Sequence, residues 1–316
     1  MQKQAQAKRN GTQPAAYLVR TANAMRSNLP YLVVLWLEVA AAYAATSPPA
    51  SNFPHRIVSF SPALTEMLVA IGAGAQLVGI SDFCPLPPGA STCSRLGGTA
   101  NPNLELLLAL HPDLVLLQGE MDTVRRFCHT YHLACVSLLP DSFSTITNSL
   151  QLLGQLSGHT HSATVVRTAL SARWNAVRQA AAHRTPIPAF VAIWREPDKI
   201  ASFTIPSPNS FIHEALHAAG GSNICSDVIG NYPTVALEVV MRRRPRVIFD
   251  IVPATWQHNP QPYMRAWHSF RHTRAGRNVL IVPITNVHAL IPGPHIVTLA
   301  EDFSRTLQEL HTSQAP

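Results

Sequence analysis

The stretch from Leu104 to Val115 recurs 133 residues later. Leu104-Glu105, with Pro112 seven positions after the glutamate and Val115 three further on, returns as Leu237-Glu238, Pro245 and Ile248. In both copies an apolar segment opens with a glutamate, stops at a proline that cannot continue a helix, and enters a hydrophobic strand, Asp113–Leu117 or Arg246–Asp250. Each half of the chain is therefore expected to hold a helix, a tight turn and a buried strand. The glutamate falls in the first helical turn, where a carboxylate complements the helix dipole and the side chain points out of the rim of its lobe. Two similar lobes carrying two matching acidic knobs is the expectation.

A length of 316 residues suits two domains of ordinary size, and 47% hydrophobic content is enough for real cores. The net charge of +7 is concentrated at one end: Lys3, Lys8, Arg9, Arg20 and Arg26 precede residue 45, opposed only by Glu38, so the rest of the chain carries +3. A nucleic-acid binder needs a clustered basic stripe. The compact run here, Arg242-Arg243-Arg244, closes a predicted helix, where cations are favoured in any case. Nucleic acid is excluded as a partner.

Residues 1–44 read as an export signal, with Arg26 ahead of an apolar run from Leu29 to Ala45 and a small-residue Ala42-Tyr43-Ala44 cleavage pattern. The long polar segment before it allows a start at Met25. An uncleaved membrane anchor is the alternative reading. All five cysteines, Cys84, Cys93, Cys128, Cys135 and Cys225, follow the signal, and export to the periplasm places them where disulfides persist. Cys84 with Cys93 and Cys128 with Cys135 are the plausible local pairs, which leaves Cys225 as the odd thiol.

From His55 onward short apolar runs alternate with helical stretches. Strands are expected near 56–60, 76–80, 113–117 and 134–138, with helices after Pro62, Pro102 and Met121; further strands follow near 189–194, 246–251 and 279–283, and a last helix from about Pro294 to Leu310. This is βαβ punctuation, and it predicts an α/β fold with two Rossmann-like lobes whose sheets are mostly parallel. Ser61-Pro62 reads as the cap before a proline-opened helix. From Thr160 to His183 there is no glycine or proline, which predicts one helix about 36 Å long at 1.5 Å per residue. It divides the chain into an N-terminal lobe over 55–158, a connecting helix over 159–184 and a C-terminal lobe over 185–312. Such a helix is a stiff strut that restrains hinge motion.

Arg56–Glu66, Leu77–Ser81, Gly97–Glu105, His111–Val115, Ala219–Ile224 and Pro292–His295 resemble, in order and spacing, the successive signatures of the helical-backbone (class III) periplasmic binding proteins of ABC importers. The likeness spans about residues 55 to 311 and is nearest to the cobalamin-binding member. It implies two α/β lobes on one long helix, a ligand in the cleft between them, and no enzymatic activity or cofactor. The bound solute is expected to be a cobalamin-like corrinoid or an iron chelate such as haem or a siderophore. The implied partners are the permease and ATPase subunits of the importer, with the carrier itself a monomer. By motif position Glu105 and Glu238 fall on the glutamates that dock onto the permease. The last motif usually ends Pro-Gly-Pro-Arg in this family and here ends in His295. The cobalamin-binding member has a tryptophan in the loop where this chain has Thr99 and Asn101.

Open α/β sheets bind ligands at the C-terminal ends of their strands, and Phe83, Trp194, Tyr232 and Trp256 all fall in loops there. With Thr99, Asn101 and His288 they form the expected ligand-binding set. Two alternatives use histidine. Direct capture of zinc or manganese would draw on His288 and His295. His213-Glu214-Ala-Leu-His217 has the HExxH pattern of a zinc peptidase, yet the third-ligand position of the extended pattern is Asn223. A catalytic zinc needs three protein ligands and an open site.

Overall fold

The computed structural model describes residues 53–85, 93–256, 258–274 and 276–313. The expected export signal lies outside the described residues. Among the described residues no helix is long and apolar enough to cross a membrane.

The first lobe is a five-stranded sheet in the order β3-β2-β1-β4-β5, formed by Ile57–Ser59 (β1), Leu77–Ile80 (β2), Ser94–Arg95 (β3), Leu114–Gln118 (β4) and Cys135–Leu138 (β5). Every pairing in it is parallel. Its helices are α1 (Pro62–Ala70), α2 (Leu104–Ala109) and α3 (Asp122–Thr130). Both faces of β1 and β4 are covered, which explains their unbroken apolar character: Ile57, Val58, Leu116 and Leu117 are fully buried. Ser61 caps α1 as the sequence predicts, its Oγ accepting from the Leu64 N–H at 3.2 Å, with Pro62 in the first turn.

A helix that the periodicity did not single out, α4 (Phe143–Ser157), closes this lobe. Ser142 and Thr145 make a reciprocal capping box at its start. Gly158, at φ 80°, turns the chain into α5 (Thr160–Ala181), the long helix. The two helices lie so close that a Cβ on Gly154 would sit 2.3 Å from the Cβ of Ala163. Helix α5 ends two residues before the expected His183. The chain must turn there, with the Arg184 N–H returning to the Ala181 carbonyl, before Pro186 leads into the next strand.

The second lobe repeats the plan with a four-stranded parallel sheet in the order β11-β10-β6-β8, from Ile187–Ala192 (β6), Gly221–Asn223 (β8), Val247–Ile251 (β10) and Leu280–Ile284 (β11). Ser202–Thr204 (β7) and Thr234–Ala236 (β9) form a small antiparallel pair beside it. Helices α6 (Phe211–Ala218), α7 (Leu237–Arg243), α8 (Gln261–Met264), α9 (His268–Arg271) and the closing α10 (Ile296–Thr312) complete the lobe.

The sequence repeat is a structural repeat down to the backbone. Helices α2 and α7 lead into β4 and β10, which pair with the first strand of their own lobe. His111 and Arg244, 133 residues apart, both take left-handed conformations at φ 44° and 49°. Each ends its helix ahead of a proline, so the chain reverses without continuing the turn. Of the basic run, Arg243 grips Asp227 and the Ile224 carbonyl.

Candidate ligand-binding site

The strand orders locate the cleft. In the first sheet the chain leaves β1 for β2 on one side and returns to β4 on the other; in the second it leaves β6 for β8 and returns to β10. The C-terminal ends of β1/β4 and of β6/β10 are thus switch points, where helices diverge and leave a crevice. Ser61 and Gln118 meet at the first, with the Ser61 hydroxyl donating to Gln118 Oε1 at 2.6 Å. Trp194 stands two residues beyond β6, and Trp256 five beyond β10.

The expected aromatic residues present faces to solvent at these edges. Phe83 is 71% exposed, Trp194 54% and Tyr232 43%, while Trp256 is half-buried. Phe83 lies over the Gly98 loop so closely that a Cβ on Gly98 would stand 2.8 Å from its ring. That contact brings Phe83 beside Thr99 and Asn101, and the Asn101 side chain accepts from the Gly98 N–H at 3.3 Å. Tyr232 belongs to the second lobe but feels the first: burial and the Asp141 carboxylate both push its phenol above the ordinary value. None of the four rings stacks on another among the described residues.

His288 is drawn into a contact between the lobes. Its Nδ1 lies 2.5 Å from Glu66 Oε1 on α1, and its ring stacks on His295 with centroids 4.0 Å apart and planes 14° from parallel. Glu66 is only 8% exposed, and burial raises its pKa against the opposing pull of His288. Sequence reasoning placed Glu66 in a motif without assigning it a role, because no periodicity signals a partner 222 residues away.

The HExxH residues serve packing. Glu214 Oε2 accepts the Phe143 N–H at 2.6 Å and so joins α6 of the second lobe to the first turn of α4. His213 Nδ1 lies 3.1 Å from Asn223 Nδ2, so the residue at the third-ligand position is a hydrogen-bond partner of the first histidine. His217 lines a cavity of about 500 Å³ with Arg178 and Arg184 at the end of α5, beside the starts of β6 and β8 and so at the opposite end of those strands from the switch point. A general base fixed as a helix-start acceptor is not free to activate water. The five cysteines are thiols, and Cys128 and Cys135 act on one another, raising the pKa of the first and lowering that of the second.

A second unanticipated feature underlies Trp194. Arg195 and Asp250 are wholly buried; the guanidinium also donates to the Glu196, Pro197 and Tyr263 carbonyls and lies over the Tyr263 ring at 3.7 Å. The Asp250 carboxylate accepts in addition from Trp267 Nε1 at 2.6 Å. With its donors satisfied, the network fixes the chain rigidly just past the end of β6, at the residue that follows Trp194.

The periplasmic binding protein family matches residues 57–278. The vitamin B12-binding protein of Pectobacterium atrosepticum is 30% identical over 202 residues, which cover 62% of this chain and 71% of that one. Among solved structures, the periplasmic vitamin B12-binding protein BtuF of Vibrio cholerae superposes with a TM-score of 0.68 at 22% identity, over 81% of this chain and 97% of its own. The periplasmic heme-binding protein RhuT of Roseiflexus gives 0.67 at 21%, over 81% and 98%. With two parallel α/β lobes, one long connecting helix and a family match over more than half its length, the chain belongs to the helical-backbone class of periplasmic binding proteins.

Proposed function

We propose that the solute this chain carries to its ABC-type importer is a cobalamin-like corrinoid. Members of the family capture a solute in the periplasm and deliver it to the importer without transforming it, so recognition is all the cleft must supply. The observation that carries the reading is the set of aromatic faces at the strand ends of both sheets: Phe83 from the first lobe, with Trp194, Tyr232 and Trp256 from the second. A broad, largely apolar macrocycle is the kind of solute that can cover several such faces at once. Covering an exposed aromatic ring contributes roughly 1.5–3 kcal/mol. Thr99 and Asn101 supply polar contacts at its edge, while His288, engaged by Glu66, is left out of the set. The names of the relatives at 26–30% identity support a corrinoid over an iron chelate.

Glu105 and Glu238 are proposed as the permease-docking residues. Both are exposed in the first turn of their helices, at matching positions of the repeat.

Titration of the purified chain with cyanocobalamin, haem and a ferric siderophore, followed by quenching of tryptophan fluorescence, tests the reading. Saturable quenching by cyanocobalamin, weakened in Trp194→Ala, is expected. Saturation by haem or the siderophore instead reassigns the solute, and no response to any of the three sinks the proposal.

A further inference from the structure

Glu66, His288 and His295 are the one group among the described residues whose side chains could jointly hold a metal ion, with their ligand atoms all within 4.8 Å of one another. The carboxylate comes from α1 in the first lobe. Both imidazoles come from the turn between β11 and α10 in the second. We infer that this trio is a divalent-cation site for a zinc-like ion that fastens the two lobes together.

Two features set the trio apart from an ordinary hydrogen-bonded contact. Glu66 Oε2 is buried and has no hydrogen-bond partner, although the residue is more than nine-tenths buried. An orphaned carboxylate oxygen in that setting costs several times what a typical hydrogen bond contributes, and a cation removes the deficit. Gly293 leaves room on that side: a Cβ there would lie 3.0 Å from Oε2. The second feature is the stacking of His288 on His295, centroids 4.0 Å apart and planes 14° from parallel, which sets two imidazoles beside the one carboxylate.

A carboxylate with two imidazoles is a borderline donor set of the kind that selects Zn²⁺ over Ca²⁺ or Mg²⁺. Around an ion with bonds of about 2.0–2.2 Å the ligand atoms stand about 3.4 Å apart, so the widest spacing of the trio must close by up to about 1.4 Å and the Glu66–His288 contact must open by about 0.9 Å, with water filling the fourth position. The ion takes the place of the direct contact between His288 Nδ1 and Glu66 Oε1. Arg173, the nearby cation, does not oppose it strongly, because Glu301 grips its guanidinium at 2.7 and 2.9 Å.

The test uses the full chain stripped with a chelator and titrated with Co²⁺ and with Zn²⁺, cyanocobalamin binding being measured in parallel. One equivalent of Co²⁺ giving visible bands of low coordination number, together with a rise in melting temperature with Zn²⁺, is expected. Both signals disappear in Glu66→Gln and in His295→Arg. The arginine variant keeps the comparison sound, since a guanidinium can pair with Glu66 and stabilise the fold but cannot ligate a metal. His217→Ala leaves the bands unchanged. Bands that persist in His295→Arg, or a wild-type chain that takes up no equivalent, overturn the site. Either result leaves the cyanocobalamin titration to decide the solute independently.

Discussion

Arg195, one residue past Trp194, forms an ion pair with Asp250 at 2.9 Å in which neither side chain is exposed. Burying two charges is repaid only when the remaining donors and acceptors find partners, and here Tyr263, Trp267 and three backbone carbonyls supply them. Asp250→Ala strands the guanidinium in the core. It is expected to lower stability by about 3–5 kcal/mol. Urea unfolding of the variant checks this, and a loss below about 1 kcal/mol would show that the network is dispensable.

Docking can be separated from capture. The double substitution Glu105→Ala with Glu238→Ala touches two exposed side chains and removes only a helix-dipole contribution of about 0.3–1 kcal/mol at each. Transport in cells should fall to background while the solute affinity of the purified protein stays unchanged. A collapse in affinity would instead make the carboxylates cleft or structural residues.

Glu214 offers a check on the HExxH residues. In Glu214→Ala the Phe143 N–H loses its acceptor at a part-buried junction between the lobes, so a destabilisation of about 1–3 kcal/mol is expected. Solute affinity, measured on the folded variant, should change little. An unaltered melting temperature would contradict the structural role.

The pH dependence follows from His213, whose pKa burial and the neighbouring His217 hold below the ordinary 6.5. The folded state then binds fewer protons than the unfolded chain over the interval between the two values. Its contribution to stability is therefore complete above about pH 6.5 and declines as the pH falls towards the lower folded value. Melting temperatures at pH 7.5 and 5.5 should differ by less in His213→Gln than in the wild type. An equal difference would assign the acid sensitivity elsewhere.

Cys128 lies on α3 and Cys135 opens β5, near enough for each thiol to shift the pKa of the other. Protein secreted into an oxidising compartment is expected to carry this disulfide, seen as a linked peptide pair in non-reducing digests. Recovery of both residues as free thiols from such material rules it out.

The lobes, the repeat and the long helix were legible in the sequence because each rests on local rules: prolines that stop helices, apolar runs that become buried strands, and a stretch without breakers. Helix α4 was not. Its Ser- and Thr-rich start reads as loop until the capping box of Ser142 and Thr145 is seen, and its close approach to α5 depends on Gly154 meeting Ala163. The aromatic rim could be named from strand-end positions alone, yet its supports could not. Arg195 finds Asp250 across 55 residues and Glu66 finds His288 across 222, and no local pattern carries information over such separations.

Helix α5 has a consequence beyond joining the lobes. It is packed into the first lobe through Ala163 against Gly154 and through Trp174, which stacks on Phe143 at 4.5 Å; it is tied to the second through Arg173 and Glu301. Together with the direct lobe contacts of Glu66 with His288 and Glu214 with Phe143, the rod therefore helps to set the span between Glu105 and Glu238, though it includes neither of those two glutamates. The helix is a ruler held by both lobes, and inserting one turn into it should move the acidic knobs out of register with each other while leaving each one's immediate surroundings as they are.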